Sequence, residues 1–345
     1  MSSNGNKTIL ISGGAGFIGS TFVMQMLATQ PNLRIINVDA LTYAGNLENL
    51  QSLEQDERHI FVHAEIQNTE LMDSLCRQYE VEGIINIAAE SHVDRSIHDA
   101  SPFIETNIGG TVSLLTVARN LKLKKYVQVS TDEVYGSLDL NSDELFTEET
   151  PLAPNSPYSA SKASADMFVR AFHHTHDVPA VITRCSNNYG PRQFPEKLIP
   201  LMILNAKESR SLPVYGDGMN VRDWIHVEDH CDAIWRAYEY GKPGEVYNIG
   251  SDNECSNLHI VHSILSILGK STDLIQYVTD RPGHDRRYAI DASKAKRELG
   301  WAPRIPFEQG LQSTIEWYLE HPEWCEHILS GQYRDYYSQQ YHRER

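Results

Sequence analysis

The sequence predicts an α/β protein with a Rossmann-type, doubly wound parallel sheet and a smaller, interleaved mixed α/β substrate lobe in its C-terminal half. Short apolar runs alternate with stretches of helical spacing through the first half, which is typical of parallel strands covered by helices on both faces. The first apolar run leads into a glycine-rich turn that opens a helix, as in dinucleotide-binding folds. The 345 residues are enough for such a sheet and a second lobe.

The predicted strands and helices follow one another in a regular order. Continuous apolar runs predict strands at residues 8–12, 34–39, 60–63, 83–88, 126–130 and 180–183. Apolar residues at helical spacing predict helices at 17–29, 70–79 and 103–121. Right-handed crossovers between such strands give a sheet that binds its ligand at the carboxyl ends.

The pattern loosens after about residue 185, where prolines and glycines break the chain. Further elements are predicted as helices at 227–240, 257–268 and 307–319 and a strand at 245–249. We therefore expect residues 7–186, rejoined by 222–250, to form a dinucleotide-binding Rossmann domain. The rest divides into a substrate lobe, 187–221 and 251–341, and two flexible tails, 1–6 and 342–345.

Composition excludes several classes of protein. Thirty basic residues against 46 acidic ones give a net charge of −16, so we expect neither nucleic acid nor an anionic membrane surface as a partner. No apolar run reaches the ~18 residues of a membrane span, and the polar N-terminus lacks a signal region. The five cysteines are far apart and lack CxxC spacing, so we expect a cytoplasmic protein with reduced thiols and no metal site.

The glycine-rich turn predicts a dinucleotide site. Its glycines have the spacing GxxGxxG and are Gly13, Gly16 and Gly19. They permit a tight turn and let a pyrophosphate approach backbone N–H groups at a helix N-terminus. Asp39 ends the second strand, where a carboxylate binds the adenosine ribose hydroxyls and repels a 2′-phosphate. Because Ala40 and Leu41 supply no cation, NAD is favoured over NADP; the alternative is a glycine turn beside a solvated aspartate.

Tyr158 and Lys162 form a YxxxK pair just after Ser156 and Pro157, which predict a helix N-cap and the first helical position. On a helix the tyrosine and the lysine lie on one face, one turn apart. A nearby ammonium lowers the pKa of a phenol, so Tyr158 is a candidate to accept a proton from a substrate hydroxyl. The alternative is an ordinary surface pair of tyrosine and lysine.

Two adjacent acids, Asp132 and Glu133, follow Thr131 at the carboxyl end of the fifth predicted strand, the ligand-binding edge of such a sheet. Thr131 is suited to hydrogen-bond a reacting hydroxyl. Two carboxyls in one cleft can be pushed to different pKa values, which places an acid and a base side by side. The alternative is a solvated acidic turn.

From about residue 7 to 341 the chain resembles the dTDP-glucose 4,6-dehydratases, extended short-chain dehydrogenases/reductases that modify nucleotide sugars. The glycine motif and YxxxK mark only the superfamily, whereas the acid pair marks the dehydratase branch, since related 4-epimerases lack it. The segments that carry the resemblance are GGAGFIGS, VDALTYAGN, AAESHVDRSI, STDEVYG, SPYSASKASAD, SNNYGPRQFPEKLIP, VYGDGMNVRDWIHVEDH and RPGHDRRYAID.

The resemblance implies a lyase reaction on a nucleotide sugar. Tyr158 takes the proton of the sugar 4-hydroxyl while hydride passes from C4 to NAD. Glu133 then removes the C5 proton while Asp132 protonates the departing 6-hydroxyl, and hydride returns to C6. The product is dTDP-4-keto-6-deoxy-glucose, for which rhamnose is a common destination in this family.

The resemblance also implies a set of binding positions. Those expected at NAD are Gly13, Gly16, Phe17, Ile18, Gly19, Asp39, Ala40, Leu41, Thr42, Glu65, Ile66, Ala88, Ala89, Thr106, Tyr158, Lys162 and Asn188. Those expected at the sugar nucleotide are Ser91, Thr131, Asn187, Lys197, Leu198, Pro213, Val214, Tyr215, Arg222, Asn257, Asp280, Arg281, Pro282, Gly283 and His284. Glu65 departs from the family, which usually has aspartate there. Arg222 is expected to clamp the diphosphate; the alternative is an internal salt bridge to Asp223 or Asp229.

The family commonly dimerises through two helices per subunit, so the resemblance implies a homodimer. Three other functions stay open. A 4,6-dehydratase could act on UDP-glucose or UDP-N-acetylglucosamine. A nucleotide-sugar 4-epimerase and a non-catalytic NAD-binding sensor are the other two.

Overall fold

The structure is a computed structural model that describes residues 7–330. The predicted tails, 1–6 and 342–345, lie outside the described residues, as does the end of the predicted substrate lobe, 331–341. The strands are β1 (Lys7–Ser12), β2 (Leu33–Asp39), β3 (His59–His63), β4 (Gly83–Asn86), β5 (Lys125–Thr131), β6 (Ala180–Cys185), β7 (Asn187–Tyr189), β8 (Leu212–Tyr215), β9 (Val221–His226), β10 (Val246–Ile249), β11 (Glu254–Ser256) and β12 (Ile275–Val278).

The helices alternate with these strands. They are α1 (Phe17–Thr29), α2 (Thr69–Gln78), α3 (Val93–His98), α4 (Ser101–Phe103), α5 (Thr111–Leu121), α6 (Pro157–His176), α7 (Leu198–Lys207), α8 (Val227–Tyr240), α9 (Asn257–Leu268), α10 (Ser293–Leu299), α11 (Phe307–Glu320) and α12 (Pro322–Leu329). Short 3₁₀ turns occupy Leu47–Leu53, Asp132–Tyr135 and Thr272–Leu274.

The main sheet has seven strands, all parallel, in the order β3-β2-β1-β4-β5-β6-β10. This confirms the predicted doubly wound α/β fold. The strand order reverses between β1 and β4, which opens a crevice at their carboxyl ends. The last strand, β10, comes from the second half of the chain and pairs with β6, with Val246 opposite Ile182.

Apolar side chains cover both faces of the sheet, as continuous apolar strands require. On one face Met72, Leu114 and Val169 bring α2, α5 and α6 against the strands. On the other, Phe22 and Ile234 bring α1 and α8. Two helical layers therefore hold the sheet rigid beneath the crevice.

A second, smaller body packs beside the sheet. It contains a three-stranded sheet in the order β11-β9-β7 and the parallel pair β12-β8. Its own apolar core joins α7, α9, α11 and α12 through side chains such as Met202, Ile264 and Ile315. Within residues 7–330, no helix combines the length and the apolar character that crossing a membrane requires.

The helix predicted at 103–121 is interrupted. A π-helical stretch, Ile104–Gly110, separates α4 from α5. Within it, the Asn107 side chain accepts a hydrogen bond from the Glu90 backbone N–H at 2.9 Å and donates to the Glu90 carbonyl at 3.0 Å. The wider turn brings this amide to the strand-end loop beside the crevice. Apolar spacing cannot reveal such a turn, because it records which residues are buried and not how the backbone is bonded.

Candidate active site

A cleft of about 330 Å³ lies at the carboxyl ends of the sheet strands. Five strands reach it with residues at or just beyond their last position. These are Gly13 after β1, Asp39 on β2, Ile87 after β4, Thr131 on β5 and Cys185 on β6. Within residues 7–330, no group of three or more His, Cys, Asp or Glu side chains is arranged to hold a metal ion.

The glycine-rich loop is packed so tightly against neighbouring backbone that two of its positions cannot carry a side chain. Gly13 has φ of 74°, and a Cβ there would lie 2.7 Å from the Ala88 backbone. A Cβ on Gly19 would lie 2.0 Å from the Gly13 carbonyl oxygen. Gly16 caps α1 without a side-chain hydrogen bond, and the first turn of α1 carries no acidic residue. The first-turn N–H groups of α1 are thus left to an anionic ligand, which fits the pyrophosphate of a dinucleotide.

Asp39 holds this loop in place. Its Oδ2 accepts a hydrogen bond from the Ala15 N–H at 2.8 Å, and its Oδ1 accepts one from the Leu41 N–H at 2.8 Å. Burial raises the pKa of Asp39, and the two amides oppose that rise. Each carboxylate oxygen keeps a further lone pair, so Asp39 can also accept from ribose hydroxyls at the end of β2.

Tyr158 and Lys162 lie on the first turns of α6. The helix begins with a capping box, in which Ser156 Oγ accepts from the Ser159 N–H at 3.1 Å and Ser159 Oγ accepts from the Ser156 N–H at 3.0 Å. Lys162 Nζ donates to the Val129 carbonyl at 2.7 Å. Both members of the pair are buried and line the cleft, so the ordinary surface pair is ruled out.

The expected lowering of the Tyr158 pKa by Lys162 stays a prediction, because Lys162 is not among the main groups that shift the Tyr158 pKa in this structure. Burial raises the pKa of Tyr158 well above its usual value, and the nearby carboxyl of Glu133 raises it further. Burial also lowers the pKa of Lys162. The Thr131 hydroxyl opposes the rise at Tyr158 through a hydrogen bond. Desolvation is the largest cause of both shifts because the phenol and the ammonium are both enclosed.

The acid pair lies beside Tyr158 in the same cleft. Thr131 caps the 3₁₀ turn that carries both acids, and its Oγ1 accepts from the Glu133 N–H at 3.3 Å. Asp132 is 1% exposed, and its Oδ2 has no hydrogen-bond partner among the described residues. The solvated acidic turn is therefore ruled out.

The environments of the two acids differ. Burial raises the pKa of Asp132 well above its usual value, and Glu133 and Asp223 add to the rise. Burial also raises the pKa of Glu133, but Arg281, Arg222 and Lys197 oppose it. Asp132 is therefore held more strongly in its protonated form, and Glu133 is the more easily ionised of the two.

Arg222 is buried without a carboxylate partner in the described part of the chain. It donates to the Val221 carbonyl at 2.7 Å and the Asp285 carbonyl at 2.9 Å, and its guanidinium lies 4.2 Å from the Tyr288 ring centroid. Asp223, one alternative partner, is taken up by Ser251 and the Asn253 N–H.

The other alternative partner, Asp229, accepts from the N–H groups of Arg304 and Ile305 at 2.9 Å. The alternative to the predicted clamp, a salt bridge from Arg222 to either aspartate, is thus ruled out. The charge of Arg222 is left for an anion from outside the chain.

Comparison with known proteins agrees with this geometry. The sequence profile of the GDP-mannose 4,6 dehydratase family matches residues 10–314. A dTDP-glucose 4,6-dehydratase from Xanthomonas campestris pv. campestris (strain B100) is 50% identical over 345 aligned residues, which cover 95% of this chain and 97% of that one.

The chain belongs to the dTDP-glucose 4,6-dehydratase family.

Two solved structures of the family have the same fold. The dTDP-glucose 4,6-dehydratase from Bacillus anthracis, in complex with NAD, has a TM-score of 0.88 at 53% identity and covers 93% of this chain and 99% of its own. DesIV from Streptomyces venezuelae, crystallised with NAD and a second ligand, has a TM-score of 0.90 at 47% identity, with the same coverage.

The positions expected from the dehydratase family at the cofactor come together in the cleft, with one exception. The exception is Leu41, which does not line the cleft. Its backbone N–H instead donates a hydrogen bond to Asp39. The lining positions are Gly13, Gly16, Phe17, Ile18, Gly19, Asp39, Ala40, Thr42, Glu65, Ile66, Ala88, Ala89, Thr106, Tyr158, Lys162 and Asn188. Glu65, the departure from the family, keeps its place beside Ile66.

The positions expected at the sugar nucleotide divide into two groups. Four line the cleft: Ser91, Thr131, Asn187 and Lys197. The others lie outside its lining, on the second body: Leu198, Pro213, Val214, Tyr215, Arg222, Asn257, Asp280, Arg281, Pro282, Gly283 and His284. Asp94 on α3 ties this second group to the cleft wall, since it accepts from Tyr215 at 3.3 Å and from Arg281 at 3.2 Å. The sugar-nucleotide roles of both groups remain predictions.

Sequence reasoning missed several side chains that line the cleft. Tyr43, Glu90, Gln193, Phe194 and Glu196 all contribute to it. Burial raises the pKa of Glu196 to about 7, against the opposing charges of Lys197 and Arg95. The signal that could have found Glu196 is its place directly before Lys197 in a segment already recognised as typical of the family.

Proposed function

We propose that the protein converts dTDP-glucose to dTDP-4-keto-6-deoxy-glucose and water, with NAD as its resident cofactor. The proposal depends above all on one observation. A buried tyrosine–lysine pair and two adjacent carboxyls with separated pKa values line one cleft. Tyr158 and Lys162 suit the oxidation of an alcohol, and Asp132 and Glu133 suit the elimination of water.

The first step needs a base at the sugar 4-hydroxyl. Tyr158 is that base, and Thr131 holds the hydroxyl in line with it. When bound, NAD supplies the hydride acceptor and a positively charged ring beside the phenol. Lys162, fixed by the Val129 carbonyl, keeps a cation one helical turn below Tyr158. Together these groups offset the burial that raises the pKa of Tyr158.

The second step uses the acid pair. A 4-ketone acidifies the hydrogen at C5, which Glu133 removes as a carboxylate. Asp132 keeps its proton because it is buried beside Glu133 and gives that proton to the leaving 6-hydroxyl. Returning the reducing equivalent to C6 leaves the cofactor in its starting state, so no external oxidant is consumed.

The test uses dTDP-glucose deuterated at C4. Deuterium should appear at C6 of a 4-keto product, as read by mass spectrometry and NMR. Loss of the label to water, or the absence of a keto sugar, would refute the proposal. Appearance of a sugar inverted at C4 would favour the 4-epimerase, and bound NAD without turnover of any sugar nucleotide would favour the sensor.

The thymine nucleotide is tested separately. We expect dTDP to compete with substrate far better than UDP or GDP, because the relatives named above are dTDP-glucose 4,6-dehydratases. Competition by UDP at equal strength would instead favour a 4,6-dehydratase of UDP-sugars. The residues proposed to hold the diphosphate are Lys197, Arg222 and Arg281, which lie close enough to Glu133 to oppose its pKa rise.

We also propose a homodimer. Three large apolar side chains are exposed on neighbouring helical segments: Ile104 (56%), Met167 (53%) and Phe168 (41%). The π-helical stretch Ile104–Gly110 packs against α6, so the three side chains belong to one outer face of the sheet. A second copy of this chain would cover that face with the same face of its own, as two-fold interfaces do.

The remaining proposals concern place and organisation. All five cysteines are free, which supports a reducing compartment, the cytoplasm. We propose the lobe boundaries as predicted, with 7–186 and 222–250 around the cofactor and the intervening and following residues around the sugar nucleotide. The proposed partners are the sugar nucleotide, NAD and a second copy of this chain.

A further inference from the structure

We propose that the helix pair α11 and α12 clamps the cofactor cleft from both sides and slows the release of NAD. Tyr318 on α11 and Trp324 on α12 are its positioning residues. Neither lines the cleft. The proposal deepens the proposed function and rests on it only for the identity of the bound dinucleotide.

One chain of hydrogen bonds runs from α12 to the glycine-rich loop. Trp324 Nε1 donates to Asn49 Oδ1 at 2.8 Å, across 275 positions of sequence. Asn49 Nδ2 donates to the Ala15 carbonyl at 3.0 Å. The N–H of the same Ala15 is held by Asp39. Both backbone polar groups of Ala15 are therefore hydrogen-bonded. These bonds hold in place the loop that would bind the pyrophosphate.

A second chain runs from α11 to the opposite side of the cleft. The Tyr318 hydroxyl donates to the Gln193 carbonyl at 2.5 Å. Gln193 Nε2 donates to the Asn188 carbonyl at 2.8 Å. Gln193 and Asn188 both line the cleft, and His230 Nδ1 donates to Asn188 Oδ1 at 2.8 Å. The two chains thus start on adjacent helices and end on different walls of one cleft.

The helix pair is a firm anchor for both chains. Tyr318 is fully buried and Trp324 is 8% exposed, and both belong to the apolar core of the second body. Their rings pack edge to face with centroids 6.1 Å apart. His327 on α12 adds a hydrogen bond to Glu48 at 2.8 Å. Moving the glycine-rich loop away from the cleft would therefore require α12 to move within a packed core.

Other members of the broader family need not have the two residues that form the clamp, Tyr318 and Trp324. The matched family profile ends at residue 314, before both Tyr318 and Trp324. In the proposed reaction NAD is restored in every turnover. Slow release of NAD therefore does not slow the reaction. A chain with this clamp is suited to keep one NAD through many turnovers.

The test measures release of NAD from the purified holoenzyme. Tyr318→Phe removes only the hydroxyl group, whereas Trp324→Phe removes Nε1 together with part of the indole ring; both keep an aromatic ring. Trp317→Phe is the matched control, because Trp317 packs edge to face on Trp324 at 4.9 Å without bonding either chain to the cleft. The protein is diluted into an excess of an NAD-trapping dehydrogenase, and the released cofactor is followed with time.

Each of the two variants should release NAD about fivefold faster than the unaltered protein, the factor expected for one buried neutral hydrogen bond. The double variant should be faster than either alone, and Trp317→Phe should release at the unaltered rate. If Trp324→Phe does not fold, Asn49→Leu breaks the same chain from its other partner and should give the same acceleration.

Folded variants that release NAD at the unaltered rate would overturn the clamp. So would equal acceleration by Trp317→Phe, since that would indicate general loosening of the helix pair. If the unaltered protein neither retains nor binds NAD, the proposed function fails, and the clamp fails with it. Release rates separate these outcomes because they do not depend on turnover of the sugar nucleotide.

Discussion

The neighbouring carboxyl groups of Asp132 and Glu133 differ in how readily they ionise because their surroundings differ. Asp132 points into the protein, where one of its oxygens has no hydrogen-bond partner in the described part of the chain. Glu133 lies within the influence of three cations. The first group is driven to keep its proton and the second is helped to lose it. A side chain's chemistry in this cleft is thus set by position, not by residue type.

The acid pair can be separated from the oxidation step by substitution. In the double variant Asp132→Asn and Glu133→Gln, Tyr158 and Lys162 are untouched, so bound NAD should still be reduced by dTDP-glucose. Water loss should fall by about 10²-fold or more, the usual contribution of a positioned acid or base. The near-ultraviolet absorbance of reduced nicotinamide reports the first step, and mass spectrometry the second. Unimpaired elimination would refute the roles of both acids.

Burial of Asp132 should also make stability depend on pH. The folded-state pKa of Asp132 is raised, so above the ordinary aspartate pKa the unfolded chain releases a proton that the folded chain keeps. Stability from this group therefore falls as pH rises toward the folded pKa. Asp132→Asn should melt at a higher temperature than the unaltered protein, by a margin that grows as pH rises from the ordinary aspartate pKa toward the raised one, as melts near that ordinary pKa and at neutral pH would show. The same margin at both pH values would contradict the buried acid.

The sequence allowed prediction of residues that belong to recognisable spacings, such as Tyr158 with Lys162. The sequence offered the position of Glu196 beside Lys197, but it could not reveal the raised pKa of Glu196, which depends on burial near Tyr43 and Arg95 from a distant part of the chain. It also gave no measure of how far burial raises the pKa of Tyr158. Spacing along a helix gives the distance between two charges, whereas the pKa depends on how far both are removed from water.

At the scale of elements, the first turns of helix α6 carry Tyr158 and Lys162, the pair proposed to oxidise the sugar. Its capping box, Ser156 with Ser159, satisfies the first N–H groups of the helix. Tyr158 lies between the two capping serines, and its own N–H donates to Ser96 Oγ at 3.1 Å. The geometry of the phenol is therefore fixed by the first turn of α6.

Loss of the cap should reduce both stability and activity. Ser156→Ala should destabilise the protein by about 1 kcal/mol, the usual cost of removing an N-cap, and lower kcat more than it changes KM. Ser164→Ala is the matched control on the same helix, because its exposed hydroxyl only returns a hydrogen bond to the Ala160 carbonyl. Thermal unfolding and steady-state kinetics of both variants check this. Equal effects from the two serines would contradict a special role for the first turn.

Most main-sheet elements could be predicted because their apolar patterns are continuous. In the second body, helix α9 also begins and ends at the predicted residues, 257–268. Strand β7, Asn187–Tyr189, could not be found in this way, because it contains no apolar run. It exists because β9 offers a parallel partner, with Asn188 opposite Ile225. Short polar strands of this kind are products of tertiary packing.

At the scale of the molecule, the net charge of −16 conceals a small cationic site. Arg222 is buried and Arg281 half-buried near the acid pair, and the charge of Arg281 contributes to lowering the pKa of Arg222. Such a pocket suits one diphosphate and not an extended polyanion. The acidic exterior and the basic pocket are therefore compatible in one enzyme.

The surface proposed for dimer formation gives a prediction at the same scale. Phe168→Glu places a charge on the exposed apolar face of α6 and should convert a dimer into a monomer of about 39.1 kDa, as measured by analytical ultracentrifugation. Ile267→Glu, at an exposed apolar position on α9, is the matched control and should stay dimeric. A monomeric unaltered protein, or a dimer that survives Phe168→Glu, would rule out this face.

The return of β10 to the main sheet has a consequence for how the chain is made. As the protein leaves the ribosome, β6 is complete long before its outer neighbour has been synthesised. Until Ile249 emerges, one edge of β6 has no strand beside it, and the buried side chains of Val181 and Ile182 lack their final cover. The nascent chain must therefore carry an open sheet edge through the synthesis of roughly sixty further residues, a period in which other chains compete for that edge.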